Sequence, residues 1–299
     1  MASNPSERTI CARLMNDRFA LCLPREEFDE KRVADSVKEL QCEFTGNSFH
    51  LHMYMGVYEI RDRDEAVSIM VDKANIAADT IKNNYDCCVA YYDEHLLEIS
   101  IEQRRLLGEF EPALQNDEFV MYLQPQVKRD GAAKGAEALV RWVHPSRGIL
   151  TPYAFIDILE NAGLIYKLDL YIWEKAAQKL AEWKEKGYGS YHISVNISTK
   201  DFYIIDIYET FTGLINKYGI AASNLHLEIT ETTLMTDFEK NMNIIHKLQG
   251  VGFRVEIDDF GSGYSSLNML KDISADVLKI DMGFLRKSEN EVKGQDILE

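Results

Sequence analysis

Two adjacent aspartates, Asp258 and Asp259, end the apolar stretch in "VEIDDFGSGYSSL", residues 255 to 267. Carboxylates this close repel each other, and one takes up a proton unless a positive charge lies between them. One divalent cation, or a pair of them, would supply that charge. The alternative from these residues alone is a solvated turn in which Asp259 caps the following segment.

Other polar residues occupy similar positions in separate apolar, strand-like stretches. They are Glu137, Asn196, Glu228 and Lys279. With Asp258 they provide four oxygen ligands and one ammonium group, and Mg²⁺ or Mn²⁺ prefers carboxylate and amide oxygens. We interpret His192 and His226 as hydrogen-bonded structural residues, since the sequence has no His/Cys set of the zinc type.

Two chemistries fit this set of residues. A pair of metal ions could activate water and stabilise an in-line displacement at phosphorus. Alternatively, one metal ion with Lys279 as the base could abstract a proton next to a carboxylate. In "EALVRW", the side chains of Glu137, Leu139 and Arg141 share one strand face, so Arg141 could bind a phosphate near a metal held by Glu137. A simple interstrand ion pair is the alternative for Arg141.

The elements that must position these residues begin at Phe119. Helical stretches, such as "LDLYIWEKAAQKLAEWKEKG" and "FEKNMNIIHKLQGVG", lie between strand-like ones. The strand-like stretches are "FVMYLQPQV", "GAEALVRW", "YHISVNIS", "LHLEITE", "FRVEIDDF" and "DVLKID". Regular alternation of strand and helix predicts parallel strands with crossover helices, in an open doubly wound sheet or a closed barrel.

The polarity of the strands favours the barrel. In "HISVNI" the apolar residues Ile193, Val195 and Ile197 alternate with polar ones, and the later strands show the same alternation. A strand between two helix layers should be apolar on both faces. One-sided polarity instead fits a barrel whose apolar side packs on outer helices and whose polar side lines the interior.

Bulk properties set limits on partners and location. The chain has 299 residues with 46% hydrophobic and 27% charged, enough for a large domain plus a smaller one. Its net charge of -16 excludes a nucleic-acid polymer as the main partner, though not a small anion. Because no signal peptide or membrane-spanning run is found, we expect a cytoplasmic protein. The five cysteines lack metal-type spacing and are predicted to be reduced, mostly buried thiols.

Six motifs in a fixed order carry a family resemblance over roughly residues 110 to 299. They are "YLQPQV", "EALVRWVHPSRGILTP", "VNIS", "LEITET", "DDFGSGYSSL" and "LKID". In this region the sequence resembles the EAL family of cyclic di-GMP phosphodiesterases. The resemblance implies an α/β fold, a (β/α)8 TIM-type barrel, and metal-dependent hydrolysis of cyclic di-GMP to linear pGpG.

The resemblance also implies roles for individual residues. Four of them would ligate a first Mg²⁺ or Mn²⁺ ion: Glu137, Asn196, Glu228 and Asp258. Asp258 and Asp259 would hold a second ion, and Lys279 would contact the attacked phosphate or its water. Three residues would bind the dinucleotide: Gln124, Leu139 and Arg141. Glu231 would steady the loop "DFGSGYSS", which in many relatives couples metal binding to dimerisation, so a homodimer through the EAL domain is an expected partner.

A second resemblance covers the first part of the chain. Residues 12 to 21, "ARLMNDRFAL", resemble the signature of GGDEF-type diguanylate cyclases, but Met15 and Asn16 replace both glycines and Arg18 replaces the glutamate. Cyclase chemistry is therefore not expected. We predict a partial, degenerate GGDEF-like module over residues 1–95, a helical linker over 96–113 and an EAL domain over 114–299.

The EAL resemblance stops short of a complete barrel. Members of that family continue beyond "LKID" into a seventh strand with A-E-G-V-E and an eighth strand, so about 50 residues of a barrel of about 250 are not found. We therefore expect a barrel that is incomplete after about six strands, in a fragment of a longer protein, a chain that folds with a partner, or one that has lost catalysis. The alternatives to a phosphodiesterase are an inactive cyclic di-GMP receptor and a regulatory scaffold.

Overall fold

The computed structural model of the chain describes residues 8–15, 17–33, 35, 53–82, 87–261 and 274–281. The chain divides into two compact units, Met1–Arg105 and Leu106–Glu299.

The described residues of the first unit include short strands and a helix of 13 residues. Strands β1 (Ile10–Met15) and β2 (Arg18–Cys22) form an antiparallel hairpin, and a 3-10 turn follows at Arg25–Glu27. Strands β3 (Met55–Val57) and β4 (Val89–Tyr91) pair in parallel. Helix α1 (Val67–Asp79) packs so closely on β3 that a Cβ atom added to Gly56 would lie 1.8 Å from the Ala74 carbonyl oxygen.

The cysteines of this unit differ from expectation. Cys11 and Cys22 lie on the hairpin and are exposed, and Cys87 and Cys88 are partly buried. All four are free thiols, but the prediction that they are mostly buried is wrong for the described ones. Almost all residues of the two strands of this hairpin are exposed, so thiols on it are in contact with solvent. Cys42 lies outside the described residues.

The stretch that resembles the GGDEF signature lies in the same hairpin. Met15 pairs with Arg18 at the end of the two strands, and Asn16 lies outside the described residues. Helix α2 (Glu94–Gln115) then covers the predicted linker as one helix.

In the part of the second unit that the structure describes, seven strands form a mixed sheet. The strands are β5 (Phe119–Val127), β6 (Ala133–His144), β7 (Gly148–Leu150), β8 (His192–Ile197), β9 (Leu225–Thr230), β10 (Arg254–Phe260) and β11 (Val277–Ile280). Their order is β11-β10-β9-β8-β6-β5, and β7 pairs with β6. The pairs from β6 through β8, β9 and β10 to β11 are all parallel.

The first strand pair corrects the expectation of parallel strands throughout. Strand β5 is antiparallel to β6, with Gln124 opposite Glu137. Only residues 128–132 connect the two strands, closed by a hydrogen bond from the Lys128 amide to the Ala132 carbonyl at 2.9 Å. A parallel pair needs a crossover of a dozen or more residues, so this connection permits only a hairpin.

Helices cover one face of this sheet. They are α3 (Ile156–Asn161), α4 (Ile165–Glu185), α5 (Asp201–Ile204), α6 (Ile207–Tyr218), α7 (Glu231–Thr236) and α8 (Phe238–Val251), with 3-10 turns at Pro152–Ala154 and Ala222–Asn224. Large side chains such as Trp173 and Phe211 pack in one core with Val195, Leu227 and Val255 of the central strands. We call this the apolar face of the sheet.

The opposite face of the central strands carries the polar side chains. His192 and Ser194 on β8, His226 and Glu228 on β9, and Glu256 on β10 are all buried. The predicted one-sided polarity is therefore confirmed, and we call this the polar face. The fold is α/β with a parallel-rich sheet. A complete eight-stranded barrel is not present among the described residues, in which β5 and β11 end the sheet.

None of the helices in the described ranges is both long enough and apolar enough to cross a lipid bilayer.

Candidate functional site

The centre of the polar face is the ammonium group of Lys279. Its Nζ atom donates to Glu137 Oε2 at 3.1 Å and to Glu228 Oε1, and lies 3.8 Å from Glu256 Oε2. These residues come from β11, β6, β9 and β10. Three carboxyl groups from separate strands thus surround one ammonium group.

This convergence requires a strongly curved sheet. Three strands lie between β6 and β11, so in a flat sheet the two would be about 19 Å apart, at about 4.8 Å per strand. Lysine and glutamate side chains cannot bridge that distance. The contact between Lys279 and Glu137 therefore shows that the sheet bends toward its polar face, as a barrel wall does.

The charges around Lys279 do not balance. Burial and, next, the charge of Glu137 raise the pKa of Glu228 to about 8, against the opposing effect of Lys279. Burial lowers the pKa of Lys279. The charges and hydrogen bonds of Glu228 and Glu137 raise it by a larger amount, so the net pKa is above its ordinary value. In addition, Glu228 Oε2 is buried without a hydrogen-bond partner. A pKa of about 8 leaves Glu228 mostly protonated at pH 7, so a divalent cation bound here would favour loss of that proton and would meet a buried oxygen that has no hydrogen-bond partner.

The two aspartates lie beside this cluster at the end of β10. Asp258 is partly buried, and its Oδ1 accepts from the Asp259 amide at 2.9 Å. Asp259 has a left-handed backbone with φ 53°, and the pairing of β10 with β11 shifts between Ile257 and Phe260. This interruption of strand alternation leaves Asp259 exposed instead of directing it into the core.

The pKa of Asp259 is raised, by burial first and by the charge of Asp258 second. This is the direction expected of adjacent carboxylates, and a divalent cation would oppose it.

Two further residues assigned from the sequence are Glu231 and Asn196. Glu231 is buried at the start of α7, and its Oε2 accepts from the Gly261 amide at 3.0 Å. It therefore contacts the first residue after β10, while residues 262–273 lie outside the described part of the chain. Asn196 lies beside Glu228 in the register of β8 and β9, but its side chain is exposed. Trp173 Nε1 donates a hydrogen bond to the main-chain oxygen of Asn196 at 2.9 Å.

The residues predicted to bind substrate lie on β5 and β6. Register pairs Gln124 with Glu137 and Tyr122 with Leu139, so all four side chains share one face. Leu139 is partly buried and Gln124 is exposed. Arg141, two residues farther along the same face, is partly buried. Its guanidinium donates to the Val140 carbonyl at 2.7 Å and lies 5.9 Å from the Tyr122 ring centre. No carboxylate within the described ranges pairs with it, so the interstrand ion pair is not observed.

The structure adds a buried layer beneath Lys279 that the sequence assignment left out of the site. Glu256 Oε1 bonds to His226 Nδ1 at 2.5 Å, and the His226 ring stacks on His192 with centroids 3.8 Å apart and planes within 2°. His192 Nε2 bonds to Gln126 Oε1 at 2.7 Å, and the Gln126 amide reaches Ser194 and Glu228. Both histidines are hydrogen-bonded, as interpreted from the sequence. Strand alternation could have identified Glu256 as part of the site, because Glu256 precedes Asp258 by two residues and its side chain therefore lies on the same face of the strand.

Ionisation differs across this layer. Burial, followed by the nearby His226, lowers the pKa of His192 to about 4, so its ring is neutral at pH 7. Burial raises the pKa of Glu256, but the His226 hydrogen bond and charge lower it more, and the net pKa is below its ordinary value. Glu256 is therefore a carboxylate.

Within the described ranges, two groups of side chains offer atoms that could bind a metal ion, and only the first already has all of them within 4.8 Å of one another. The first group consists of His192, His226 and Glu256. Ring-nitrogen lone pairs lie in the ring plane, so two parallel stacked imidazoles cannot both point at one ion without rotation of a ring. The second group, which we call the rim set, consists of the carboxylate oxygens of Glu137, Glu228 and Asp258. It includes Glu228 Oε2, which has no hydrogen-bond partner. It suits a hard divalent cation better.

Comparison with known proteins decides the family. The family model of the EAL domain matches residues 108–299, which is more than half of the chain. The chain belongs to the EAL domain family. The EAL domain thus contains every residue of the cluster around Lys279, and the relatives of the whole chain include enzymes of cyclic di-GMP metabolism. "Bifunctional diguanylate cyclase/cyclic di-GMP phosphodiesterase MucR" of Pseudomonas aeruginosa is 30% identical over 297 residues, covering 95% of this chain and 42% of MucR.

A second curated relative, "Cyclic di-GMP phosphodiesterase PdeR" of Escherichia coli, is 31% identical and covers 62% of this chain and 28% of PdeR. The chain therefore spans less than half the length of these two relatives.

Solved EAL structures agree with the architecture. The PaMucR phosphodiesterase in complex with c-di-GMP is similar at a TM-score of 0.60 and 33% identity, covering 65% of this chain and 79% of that one. The FimX EAL domain of Xanthomonas citri in complex with c-diGMP has a TM-score of 0.59 at 22% identity, covering 66% of this chain and 77% of that one. The second similarity supports the fold alone. The EAL domain of this chain thus shares its fold with proteins whose structures contain c-di-GMP.

Proposed function

We propose that the EAL domain of this chain is a metal-dependent phosphodiesterase that hydrolyses cyclic di-GMP to linear pGpG. The observation that carries this proposal is the convergence of Glu137, Glu228 and Glu256 on Lys279, with Glu228 Oε2 left unpartnered. The names of MucR and PdeR, and the c-di-GMP complex of PaMucR, support the choice of substrate.

The residues that would hold Mg²⁺ or Mn²⁺ follow from the oxygen atoms at the rim. A first ion would be held by Glu137, Asn196, Glu228 and Asp258, and a second by Asp258 and Asp259. Ions bound in such a site lower the pKa of water and offset negative charge at phosphorus. The register of β8 and β9, which places Asn196 beside Glu228, supports this role for Asn196, whose side chain is exposed.

The protein's own groups would orient the dinucleotide. The ammonium of Lys279 would bind the attacked phosphate or the adjacent water, and its raised pKa keeps it charged. Arg141 would bind a phosphate, and Gln124 and Leu139 would contact the remainder of the dinucleotide on the same face as Glu137. Glu231 would keep the chain after β10 in place through the Gly261 amide.

The proposal extends to the organisation of the whole chain. Residues 1–95 would form a partial, degenerate GGDEF-like module without cyclase activity, 96–113 a linker, and 114–299 the EAL domain. The match to MucR, whose name includes a diguanylate cyclase, extends over 95% of this chain and supports the first assignment. We further infer a cytoplasmic protein that dimerises through the EAL domain, which light scattering on a gel-filtration column would test.

A single assay tests the central proposal. The protein is incubated with cyclic di-GMP and either Mg²⁺ or Mn²⁺, and both nucleotide binding and pGpG release are measured. We expect release from the wild-type protein, none after chelation of the metal, and none from Glu137→Ala. Glu185→Ala is the matched control, since Glu185 is exposed on α4 outside the site and should retain full activity.

Binding without release would contradict the phosphodiesterase and support the receptor alternative. The intact set of rim carboxylates does not favour that alternative, because a receptor that only binds nucleotide has no need of them. Absence of both binding and release would support the scaffold.

A further inference from the structure

Glu256 lies directly beneath the proposed metal site and has no role in the proposed hydrolysis. It is 3% exposed, its Oε2 lies 3.8 Å from Lys279 Nζ, and its Oε1 is bonded to His226. We propose that Glu256 is a positioning residue that receives the Lys279 ammonium when a divalent cation binds Glu137 and Glu228. This inference rests on the proposed metal site and deepens it.

The Lys279 ammonium group and the proposed divalent cation would compete for the same carboxylates. Lys279 Nζ donates to the same two carboxylates, Glu137 and Glu228, that would ligate the ion. An ammonium group and a divalent cation this close repel strongly in a buried site. Lys279 must therefore move away from at least one of the two carboxylates when the ion binds.

A second partner for the ammonium group is already in place. Moving from 3.8 Å to hydrogen-bonding distance of Glu256 Oε2 requires a shift of about 1 Å. The other oxygen of this carboxyl group, Oε1, lies 2.5 Å from His226 Nδ1, so the group is held in place beside Lys279. A buried ammonium group without a partner is costly, and Glu256 removes that cost.

The buried layer holds Glu256 in the required orientation. His226 Nδ1 donates to Oε1, which leaves Oε2 directed to Lys279. His226 is in turn stacked on His192, and His192 is bonded to Gln126. Glu256 therefore cannot rotate away without breaking its hydrogen bond to His226, whose ring is held in turn by its stacking on His192.

The simplest competing explanation is that Glu256 only adds negative charge near the ion. The two explanations differ in their dependence on Lys279. A receiving carboxylate matters only while there is an ammonium group to receive, whereas a general electrostatic effect persists without it.

A double-mutant cycle on metal affinity separates these explanations without using catalysis. Titration calorimetry with Mg²⁺ and with Mn²⁺, in the absence of nucleotide, gives the dissociation constant for wild type, Glu256→Gln, Lys279→Met and the double variant. We expect Glu256→Gln to weaken metal binding about tenfold in the wild-type background and less than about twofold in the Lys279→Met background. Equal factors in both backgrounds, or no effect in the wild type, would overturn the inference.

Two variants of His226 test the positioning itself without changing a rim carboxylate. His226→Leu cannot donate to Glu256 and should weaken metal binding toward the level of Glu256→Gln. His226→Asn places an amide near the former Nδ1 and should restore most of the affinity. Wild-type affinity in His226→Leu would contradict the positioning role.

Folding and the underlying metal assignment are controlled separately. Circular dichroism and thermal unfolding establish that each variant is folded, and Lys279→Gln replaces Lys279→Met if the latter is not. If the wild type binds no Mg²⁺ or Mn²⁺, the proposed function and this inference both fail. If it binds the ion and the cycle shows no coupling, only this inference fails. Stoichiometric binding of Zn²⁺ that is lost in His226→Leu would also overturn it, because the buried layer would then be a metal site.

Discussion

The two faces of the central strands contrast sharply, although the same backbone carries both. On the apolar face, Val195, Leu227 and Val255 are fully buried against helices. On the polar face, the same strands bury Glu228 and Glu256 next to a lysine. Burial of apolar surface stabilises a fold, while burial of carboxyl groups opposes it. The difference indicates that one face supplies the stability that permits the other to hold an energetically unfavourable cluster of charges.

The largest expected effect is on the polar face and concerns activity. Asp258→Asn should abolish metal-dependent turnover, because an amide is neutral and is a poorer ligand than a carboxylate. Each thousandfold loss corresponds to about 4 kcal/mol of transition-state stabilisation. The measurement is pGpG release, alongside the thermal midpoint of unfolding, which we expect to change little.

Asp157→Asn is the matched control, since Asp157 is exposed on α3. Unchanged turnover in Asp258→Asn would contradict its ligand role. A large drop in its unfolding midpoint would contradict the separation between the two faces.

The next effect is on the apolar face and concerns stability. Trp173 is 1% exposed and its ring lies 4.5 Å from that of Phe211, centre to centre. Trp173→Ala should lower the free energy of unfolding by about 3–5 kcal/mol, through lost burial and the cavity that remains. Chemical denaturation measures this quantity.

Trp173→Phe sharpens the comparison, because it keeps a ring but loses the hydrogen bond to the Asn196 carbonyl. We expect the lost hydrogen bond to lower the free energy of unfolding by about 1 kcal/mol, in addition to the effect of the smaller side chain on packing. Equal stability of Trp173→Ala and the wild type would show that the apolar face does not provide the main stabilisation.

A smaller effect is expected where the polar face is packed most tightly. A Cβ atom on Gly135 would lie 2.5 Å from the His192 ring, which cannot retreat because His226 stacks against it. Gly135→Ala should therefore destabilise the fold by about 1–3 kcal/mol. It should also weaken metal binding, through displacement of the layer under Lys279.

Gly213 provides the control, since it is exposed on α6 and a Cβ atom added there would meet nothing within 4 Å. Gly213→Ala should therefore stabilise the fold by about 0.5–1 kcal/mol. Denaturation curves of both variants give the comparison. Equal effects would mean that His192 can move freely.

The smallest effect concerns an acid pair among the helices. Asp201 is buried, its Oδ2 accepts from the Ser198 amide at 2.8 Å, and it is close to Asp169 on α4. Burial, followed by the charge of Asp201, raises the pKa of Asp169 well above its ordinary value, and burial also raises that of Asp201. A raised carboxyl pKa contributes stability at low pH that is lost as the pH rises through the folded-state value.

Asp169→Asn should remove this loss of stability with rising pH, because the amide group of asparagine can donate a hydrogen bond to Asp201 at every pH. The variant should be more stable than the wild type at pH 8, by about 1 kcal/mol. Denaturation midpoints between pH 5 and pH 8 test this. Parallel pH profiles for the two proteins would contradict a shared proton.

Much of the fold could be predicted because it depends on local pattern. Alternation in "HISVNI" and "LHLEIT" placed Val195 and Leu227 on one face and Glu228 on the other. Their contacts confirm that division, because the first two lie in the apolar core and Glu228 contacts Lys279. The antiparallel β5 was not predicted, although the short connection to β6 contained the necessary information. For the candidate site, proximity of Lys279 to Glu137 required curvature over several strands, which periodicity does not specify.

The sequence alone determined the family motifs, the residue types at the rim and the face of the strand on which each lies, because side-chain direction follows from strand alternation. Only the tertiary structure decided which of those residues meet. It brought Glu256 and His226 under Lys279, and it left Asn196 and Asp259 exposed. The physical reason is that distances across a sheet depend on its bend, on register shifts and on a left-handed residue such as Asp259, which arise from packing of the whole unit.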